Sequence, residues 1–456
     1  MFSRRQDEEK QQEFWIERWR VSKGKSEEFY SKLNEHLGAM DFARQVWGLC
    51  APAYCEESRG GRPGIDPVVY LKMLMVGFFE NLPSERAIAA RCEDSLSVRA
   101  FLGYGLEEST PDHSSLSVIG QRLGPEIYQG VFEVVLLALK GHGLFRGRHL
   151  GIDASVIEAN ASLRTLVHRN TEEAYWDYVK ALAAQQGVDP EDEAALRRFD
   201  KQRPGRKTSN EDWKNPHDPQ AKVGRTKAGT CDMIYKPEHV TDLESGAIIQ
   251  AEVLEGDHAD PEALSERVGC AVGVVNRLVG KKAEGVVRSL TADKNYFAIE
   301  QIARIQELNI RTVIGDPNAA RRRKEALELR LRKALHRAAC AVKSLSGKAL
   351  LRRRGMHLER SFEHILDEGG LRRATLKGTD NLAKRHKIAA ACFNLSLLMR
   401  ALVGVGTPKQ WMAKASTLLR ALVASLCQGV SCCGRAYAQI TSLRLLPNLL
   451  RTPSAA

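Results

Sequence analysis

The stretch RHLGIDASVIEA (148–159) decides the fold class. It is the first clear period-two segment in a chain that reads as helical up to that point, so it predicts a strand. Ile152, Ala154, Val156 and Ile157 ask for a core, yet Asp153 stands among them. A buried carboxylate is tolerated only beside a cation, a metal or a dense set of donors. Asp153 is therefore the first candidate functional residue.

Upstream the pattern is helical. Residues 1 to about 60 read as amphipathic, with Trp15, Trp19, Phe29 and Leu33 spaced along one face. GGRPGIDP (60–67) is a break, and Asp66-Pro67 starts a long apolar helix from Val68 to about Leu82. PSERAIAARCEDSLSVRAFLGYG (83–105) gives two short helices around a Glu93-Asp94 turn. The pair resembles a helix-turn-helix with Ser95 and Arg99 as candidate DNA contacts, although two packed helices in any bundle share the pattern. STPDHSSLS (109–117) is a loop or cap, His113 included, before a helix from Val118 to about Lys140. Residues 1–145 thus form an all-α N-terminal domain with DNA binding as its expected role.

Downstream of the first strand a polar stretch from Asn160 to Gln220 intervenes. It holds one helix begun by Asn170, with Glu173 at the reciprocal capping position, and another begun by Asp189-Pro190. Its basic, proline-rich end (201–220) contains Trp213, which reads as a packing anchor or as a wedge against an unstacked base. Strands resume at 230–256 as a hairpin turning at Glu244-Ser245-Gly246. A helix from Asp260-Pro261 to about Val279 follows, then strands at 285–293 and 310–316 on either side of a helix at 297–309, and helices through 350–368. The order β, insertion, β-β, α, β, α, β, α predicts a mixed sheet with an antiparallel start and parallel crossovers. The expected division is a domain at 146–400 with an insertion at about 160–225, and a helical tail at 401–456 of no assigned role.

The formal charge of +12 and the pI near 9.2 point to a polyanionic partner, nucleic acid first. From Arg321 to Arg354 there are thirteen Lys and Arg against two acids, Glu325 and Glu328, which concentrates the surplus into one phosphate-binding candidate surface. The ten cysteines form no C-x-x-C pair, and the charged N-terminus shows no signal-peptide pattern. The apolar run from Thr417 to Val430 is interrupted by Arg420 and is short for a bilayer span. A reduced, cytoplasmic protein without a membrane role is the expectation.

Two further acids share the character of Asp153. Asp293 closes the apolar strand of SLTADKNY, and Glu359 lies in RRRGMHLERSF directly after the most basic segment. Two strand-borne aspartates and a helix-borne glutamate, flanked by Lys and Arg, are hard oxygen donors suited to two Mg²⁺ or Mn²⁺ ions in phosphodiester chemistry. Taken singly, each acid also reads as a capped, salt-bridged or surface residue. Asp257 and Asp260 in GDHAD can approach such a site, a surface loop being their commoner role, and His258 beside them reads as a loop residue.

GIDASVIEANAS, DMIYKPEHVTDLESGAII, GDHADPEAL, TADKNYFAIE and the segment from Leu358 to Arg400 resemble the catalytic domain of bacterial insertion-sequence transposases of the IS5/IS1182 type. The segment at 60–125 is similar to their helical N-terminal domain, and the likeness runs from about 45 to 405. It implies a ribonuclease-H-like catalytic domain with a DDE triad and two divalent ions, cutting element ends and joining them to target DNA. By motif position Asp153, Asp293 and Glu359 are the implied triad and metal ligands. Lys294, Arg352, Arg353, Arg354 and Arg360 become the expected phosphate contacts, with Arg372 and Arg373 as alternatives. Terminal repeats and target DNA are the implied partners, at least a dimer is needed to hold two ends, and the implied location is the bacterial nucleoid.

Two departures stand out. Asp293-Lys-Asn-Tyr296 replaces the usual Asp-x-Gly-Tyr, and the Tyr-Arg-Glu-Lys signature is broken by Gly355 and Leu366, leaving Glu363 as a substitute for Glu359. A catalytically inactive DNA-binding derivative and another ribonuclease-H-like, metal-dependent nuclease are the competing readings.

Overall fold

The computed structural model describes residues 27–54, 64–203, 210–280, 285–322 and 327–414. Trp15, Trp19 and the tail beyond 414 lie outside the described residues. The helices that precede the sheet are α1 (Glu27–Ala39), α2 (Phe42–Cys50), α3 (Pro67–Phe79), α4 (Glu85–Asp94), α5 (Leu96–Leu102), α6 (His113–Arg122) and α7 (Pro125–Gly141). Asp66 caps α3 by accepting from the Val68 amide, and Pro67 fills the first position, where a missing N–H costs nothing. The break between α4 and α5 falls at Ser95, one residue past the expected turn, because its hydroxyl accepts from the Val98 amide and starts α5. The single helix expected at 118–140 is in fact two. Pro125 disfavours helical geometry at Gly124, so α6 ends and α7 begins there.

The expected strand at 148–159 splits into β1 (His149–Ala154) and β2 (Ile157–Glu158). Within the insertion, β3 (Val167–His168) pairs antiparallel with β4 (Trp213–Lys214), flanking α8 (Tyr175–Gln185) and α9 (Glu193–Gln202). Both helices start later than their capping signals suggest. The chain after β3 first closes a turn, with the His168 amide donating to the Glu173 carbonyl, and only then enters α8. Asp189 binds the Glu191 amide in a turn of its own, leaving Asp192 to cap α9 through the Ala194 and Ala195 amides. Trp213 is 6% exposed and packs edge-on against Tyr175 and His168, so of its two readings the anchor holds and the wedge does not.

The main sheet adds β5 (Lys222–Arg225), β6 (Cys231–Asp242), β7 (Ile248–Glu255), β8 (Ser289–Thr291) and β9 (Arg311–Val313). Its core order is β7-β6-β1-β8-β9, with β6 antiparallel to both neighbours and β1, β8 and β9 parallel. The parallel pairs need crossovers, which α10 (Leu264–Val279) and α11 (Ile299–Glu307) supply. The mixed sheet with an antiparallel start and parallel crossovers is thus present. The hairpin turns where expected: Gly246 adopts φ +79°, and a Cβ there would come within 2.6 Å of His357. The short α12 (Ala319–Arg322), then α13 (Leu329–Lys343), α14 (Leu345–Phe362), a π-helical turn at Glu363–Asp367 and α15 (Thr379–Val403) complete the described chain.

One apolar core runs from Phe29 in α1 through the sheet to Met399 in α15, so helices and sheet pack together. The joint is α15. Asn394 bonds both the amide and the carbonyl of Ile248 in β7, at 2.9 and 2.8 Å. Lys387 reaches Gln129 in α7 and Glu252 in β7, each at 2.8 Å. The stretch Thr379–Lys414 is long and apolar enough to cross a membrane, yet two thirds of its apolar window is buried inside the molecule, as befits a core helix.

Candidate active site

The register of the parallel strands brings two aspartates to one level. Gly151 in β1 pairs with Thr291 in β8, and two residues further on the chains carry Asp153 and Asp293. Side chains alternate along a strand, so Gly151 and Asp153 share a face, and α14 lies across it. A Cβ on Gly151 would come 2.6 Å from Leu243 and 3.3 Å from Leu358, so only glycine permits this close approach of α14 to β1. With Leu358 seated there, Arg354 one turn earlier reaches Asp153, Nη2 to Oδ2 at 2.6 Å. Asp153 Oδ1 accepts from the Ala154 amide at 3.0 Å. Burial pushes the Asp153 carboxyl above its usual range, Arg354 opposes that shift, and the neighbouring charge of Asp293 adds to it.

Asp293 sits where β8 gives way to a 3₁₀ turn (Lys294–Tyr296), and its carboxylate accepts from the Lys294 amide at 2.7 Å. Asn295 needs no left-handed backbone, so the replacement of the usual glycine leaves that turn unstrained. The Glu359 side chain is exposed, without a hydrogen bond or ion pair among the described residues. Its Oε1 lies 3.7 Å from where a Cβ on Gly355 would be, so it leans back along α14 towards the level of Arg354. Glu363, the substitute, is exposed at the start of the π-helical turn.

A second set of residues supports this pair from the opposite face of β6. Glu238, 3% exposed, pairs in register with Ala154 and accepts from Arg267 Nε at 2.8 Å and from the Tyr296 hydroxyl at 3.1 Å. Arg267 also reaches His258 Nε2 at 2.9 Å and the Asp260 carbonyl at 2.7 Å, and the Asp260 carboxylate pairs with Lys236. GDHAD is therefore tied to the turn that carries Asp293. Burial pushes the Glu238 carboxyl and the Tyr296 hydroxyl upward. Glu238, Arg267 and Tyr296 escaped the reading of the sequence. The signal for Glu238 was the same one that marked Asp153, an acid inside an apolar strand.

The expected phosphate contacts divide. Lys294, Arg352 and Arg353 are exposed, Arg360 is half-buried, and Arg354 is committed to Asp153. Arg372 forms a two-point pair with Asp367, holding that carboxyl below its usual range, and bonds Ser155 Oγ and the Val156 carbonyl. It ties the end of α14 to β1, while Arg373 is exposed. Arg99 corrects the helix-turn-helix reading. It is 8% exposed and donates to the carbonyls of Glu93, Gly105, Leu106 and Glu108, so it folds the following loop and offers no surface to DNA. Ser95 is equally buried, and His113 is an exposed first residue of α6.

Residues 20–122 match the family model described as Transposase domain (DUF772). Residues 20–122 are thus similar to a transposase domain. The described part of this segment runs from α1 to α6, and the paired aspartates lie C-terminal to it, joined by the shared core. No curated protein and no solved structure matches the chain.

The donor chemistry at Asp153 and Asp293 suits a hard divalent cation: two carboxylates side by side, one of them desolvated and raised by its neighbour. Among the described residues no three His, Cys, Asp or Glu side chains gather as a metal-holding group. Arg354 currently takes the counter-charge position on Asp153.

Proposed function

We propose that the protein is an insertion-sequence transposase of the IS5/IS1182 type, which cleaves element ends and joins them to target DNA on a ribonuclease-H-like sheet. The observation that carries this reading is the pair Asp153 and Asp293 at the ends of adjacent parallel strands in a chain whose residues 20–122 are similar to a transposase domain. The sheet order, with its antiparallel start and two parallel crossovers, supports the fold part. Asp153 and Asp293 hold Mg²⁺ or Mn²⁺, with Glu359 as third ligand. When bound, the ions supply Lewis-acid stabilisation of charge at the phosphodiester and activate the attacking hydroxyl.

The chain's own residues do the rest. Lys294, next to Asp293, and Arg352 and Arg353, two turns before Glu359 on α14, are exposed cations placed to hold backbone phosphates. The Glu238–Arg267–Tyr296 network fixes the turn that presents Asp293, and Leu358 against Gly151 sets the depth at which α14 meets β1. Duplex DNA is the partner, and joining two ends calls for a dimer or larger assembly.

The test is cleavage and strand transfer with the DNA flanking the gene, with and without Mn²⁺. Asp153→Asn and Asp293→Asn are expected to abolish products while leaving DNA affinity within about threefold, under about 0.7 kcal/mol. Metal-independent products, or full activity of Asp153→Asn, would overturn the proposal. Salt-sensitive binding with no products under any condition would identify the DNA-binding derivative instead.

A further inference from the structure

The contact between Arg354 and Asp153 is incomplete in a telling way. Arginine presents a fork that usually meets a carboxylate with two parallel bonds. Here Nη2 meets Asp153 Oδ2 at 2.6 Å, while Nε is buried with no hydrogen-bond partner among the described residues. The Arg354 side chain is 16% exposed and Asp153 25%, so water does little to screen the pair or to satisfy the idle donor. A buried donor without an acceptor is unfavourable, and an arginine with an idle donor gains from any arrangement that satisfies it. Asp153 is in turn the carboxylate that the proposed function assigns to a divalent cation, and two positive groups compete for its oxygens.

Resting on that reading, we propose that Arg354 is an exchangeable counter-ion. It neutralises Asp153 while no metal is bound and leaves when a divalent cation arrives, freeing its guanidinium for a phosphate oxygen of DNA. Several features fit this exchange. Arg354 lies on the same helix as Glu359, so one element carries both the resident cation and the exposed third acid. The contact is set by Leu358 packing on Gly151, so Arg354 can swing on its own rotamers without moving α14. Arg352 and Arg353 on the same turn are already exposed, so a released guanidinium joins an existing cationic surface. Arg354 is thus a positioning residue that couples metal binding to DNA binding, and coupling of this kind is reciprocal.

The experiment is calorimetric titration of the full chain with MnCl₂ in the absence of DNA, comparing wild type, Arg354→Gln, Arg354→Lys and Asp153→Asn/Asp293→Asn. Removing the competing charge is expected to tighten Mn²⁺ binding about tenfold, equivalent to about 1.4 kcal/mol. Arg354→Lys, a cation without the fork, is expected to fall between, and it decides the matter if Arg354→Gln fails to fold. Equal or weaker Mn²⁺ binding by both Arg354 variants, beside a wild type whose binding is lost in the double aspartate variant, would overturn the exchange and leave the site intact. Mn²⁺ binding that is absent, or indifferent to the loss of both aspartates, would overturn the metal site itself and the exchange with it.

Discussion

The buried pair beneath the site makes a sharp test, because its removal has a calculable ceiling. Arg267→Met deletes the cation that pairs with Glu238 among the described residues; the Glu238 side chain is 3% exposed, against 10% for Arg267. A stranded buried carboxylate escapes by taking up a proton. Against a usual carboxylate value of about 4.3, holding that proton at pH 7 costs about 2.7 × 1.36, or about 3.7 kcal/mol. That sits within the roughly 3–5 kcal/mol typical of breaking a buried ion pair from one side. The sign with pH follows. Above about pH 4.3 the folded variant binds a proton that the unfolded chain does not, so its deficit shrinks as pH falls, by about 1.4 kcal/mol per unit, to about 1 kcal/mol at pH 5. Glu238→Gln combined with Arg267→Met leaves no charge behind and should recover most of the loss at pH 7. Urea unfolding followed by tryptophan fluorescence at both pH values measures it. A deficit below about 1 kcal/mol at pH 7, or one that is equal at both pH values, would refute the reasoning.

Three other outcomes are expected. His239 and His386 are fully buried with their Nε2 atoms 2.8 Å apart; burial pulls His386 down to about 3 and His239 well below its usual value. The unfolded imidazoles take protons below about 6.5 that the folded ones refuse, so stability falls as pH drops from there towards 3. His386 alone contributes about 2.7 kcal/mol of that loss by pH 4.5, and unfolding midpoints of His386→Gln against pH should show a flatter fall. Replacing the exposed Lys333, Arg337 and Lys348 by Ala should lower the slope of log affinity against log salt for duplex DNA by up to about 2.7, as read by fluorescence anisotropy; an unchanged slope would remove α13 and α14 from the DNA surface. Arg99→Met should leave that slope unchanged while costing about 2 kcal/mol of stability, since several carbonyls lose their donor.

What the sequence disclosed and what it hid differ by the range of the forces involved. The succession of strands and helices along the chain, the β6–β7 hairpin and the helical crossovers were legible because period-two runs, turn residues and apolar helices are local signals. Helix starts in the insertion were misplaced because Asn170 and Asp189 carry capping chemistry that a two-strand ribbon and a competing cap at Asp192 override. Arg99 was misread for a related reason. Sequence shows that an arginine lies on a short helix, but whether its guanidinium faces solvent or the carbonyls at 105–108 depends on how the next loop folds back. Asp153 was legible as a problem, an acid in a core strand, while its present partner lies 201 residues away on α14 and left no local trace.

That partner bears on how the broken arginine signature is read. In the family pattern the basic residue stands four positions before the glutamate, where this chain has Gly355. The structure shows what the substitution permits. Glu359 leans back over position 355, its Oε1 3.7 Å from where a Cβ would stand, an ordinary contact, while Arg354 turns to the strand face and meets Asp153. Moving the arginine by one residue rotates it by about 100° around the helix. It passes from the neighbourhood of the glutamate to that of the first aspartate. The same small displacement therefore accounts for two observations at once: an exposed Glu359 without an ion pair among the described residues, and an Asp153 already paired with Arg354. Glu359→Gln removes the carboxylate without disturbing α14, and Mn²⁺ affinity should then fall by about tenfold or more, by about 1.4 kcal/mol. An affinity equal to wild type would mean that Glu359 takes no part in holding the ion, and that the pair of aspartates acts without it.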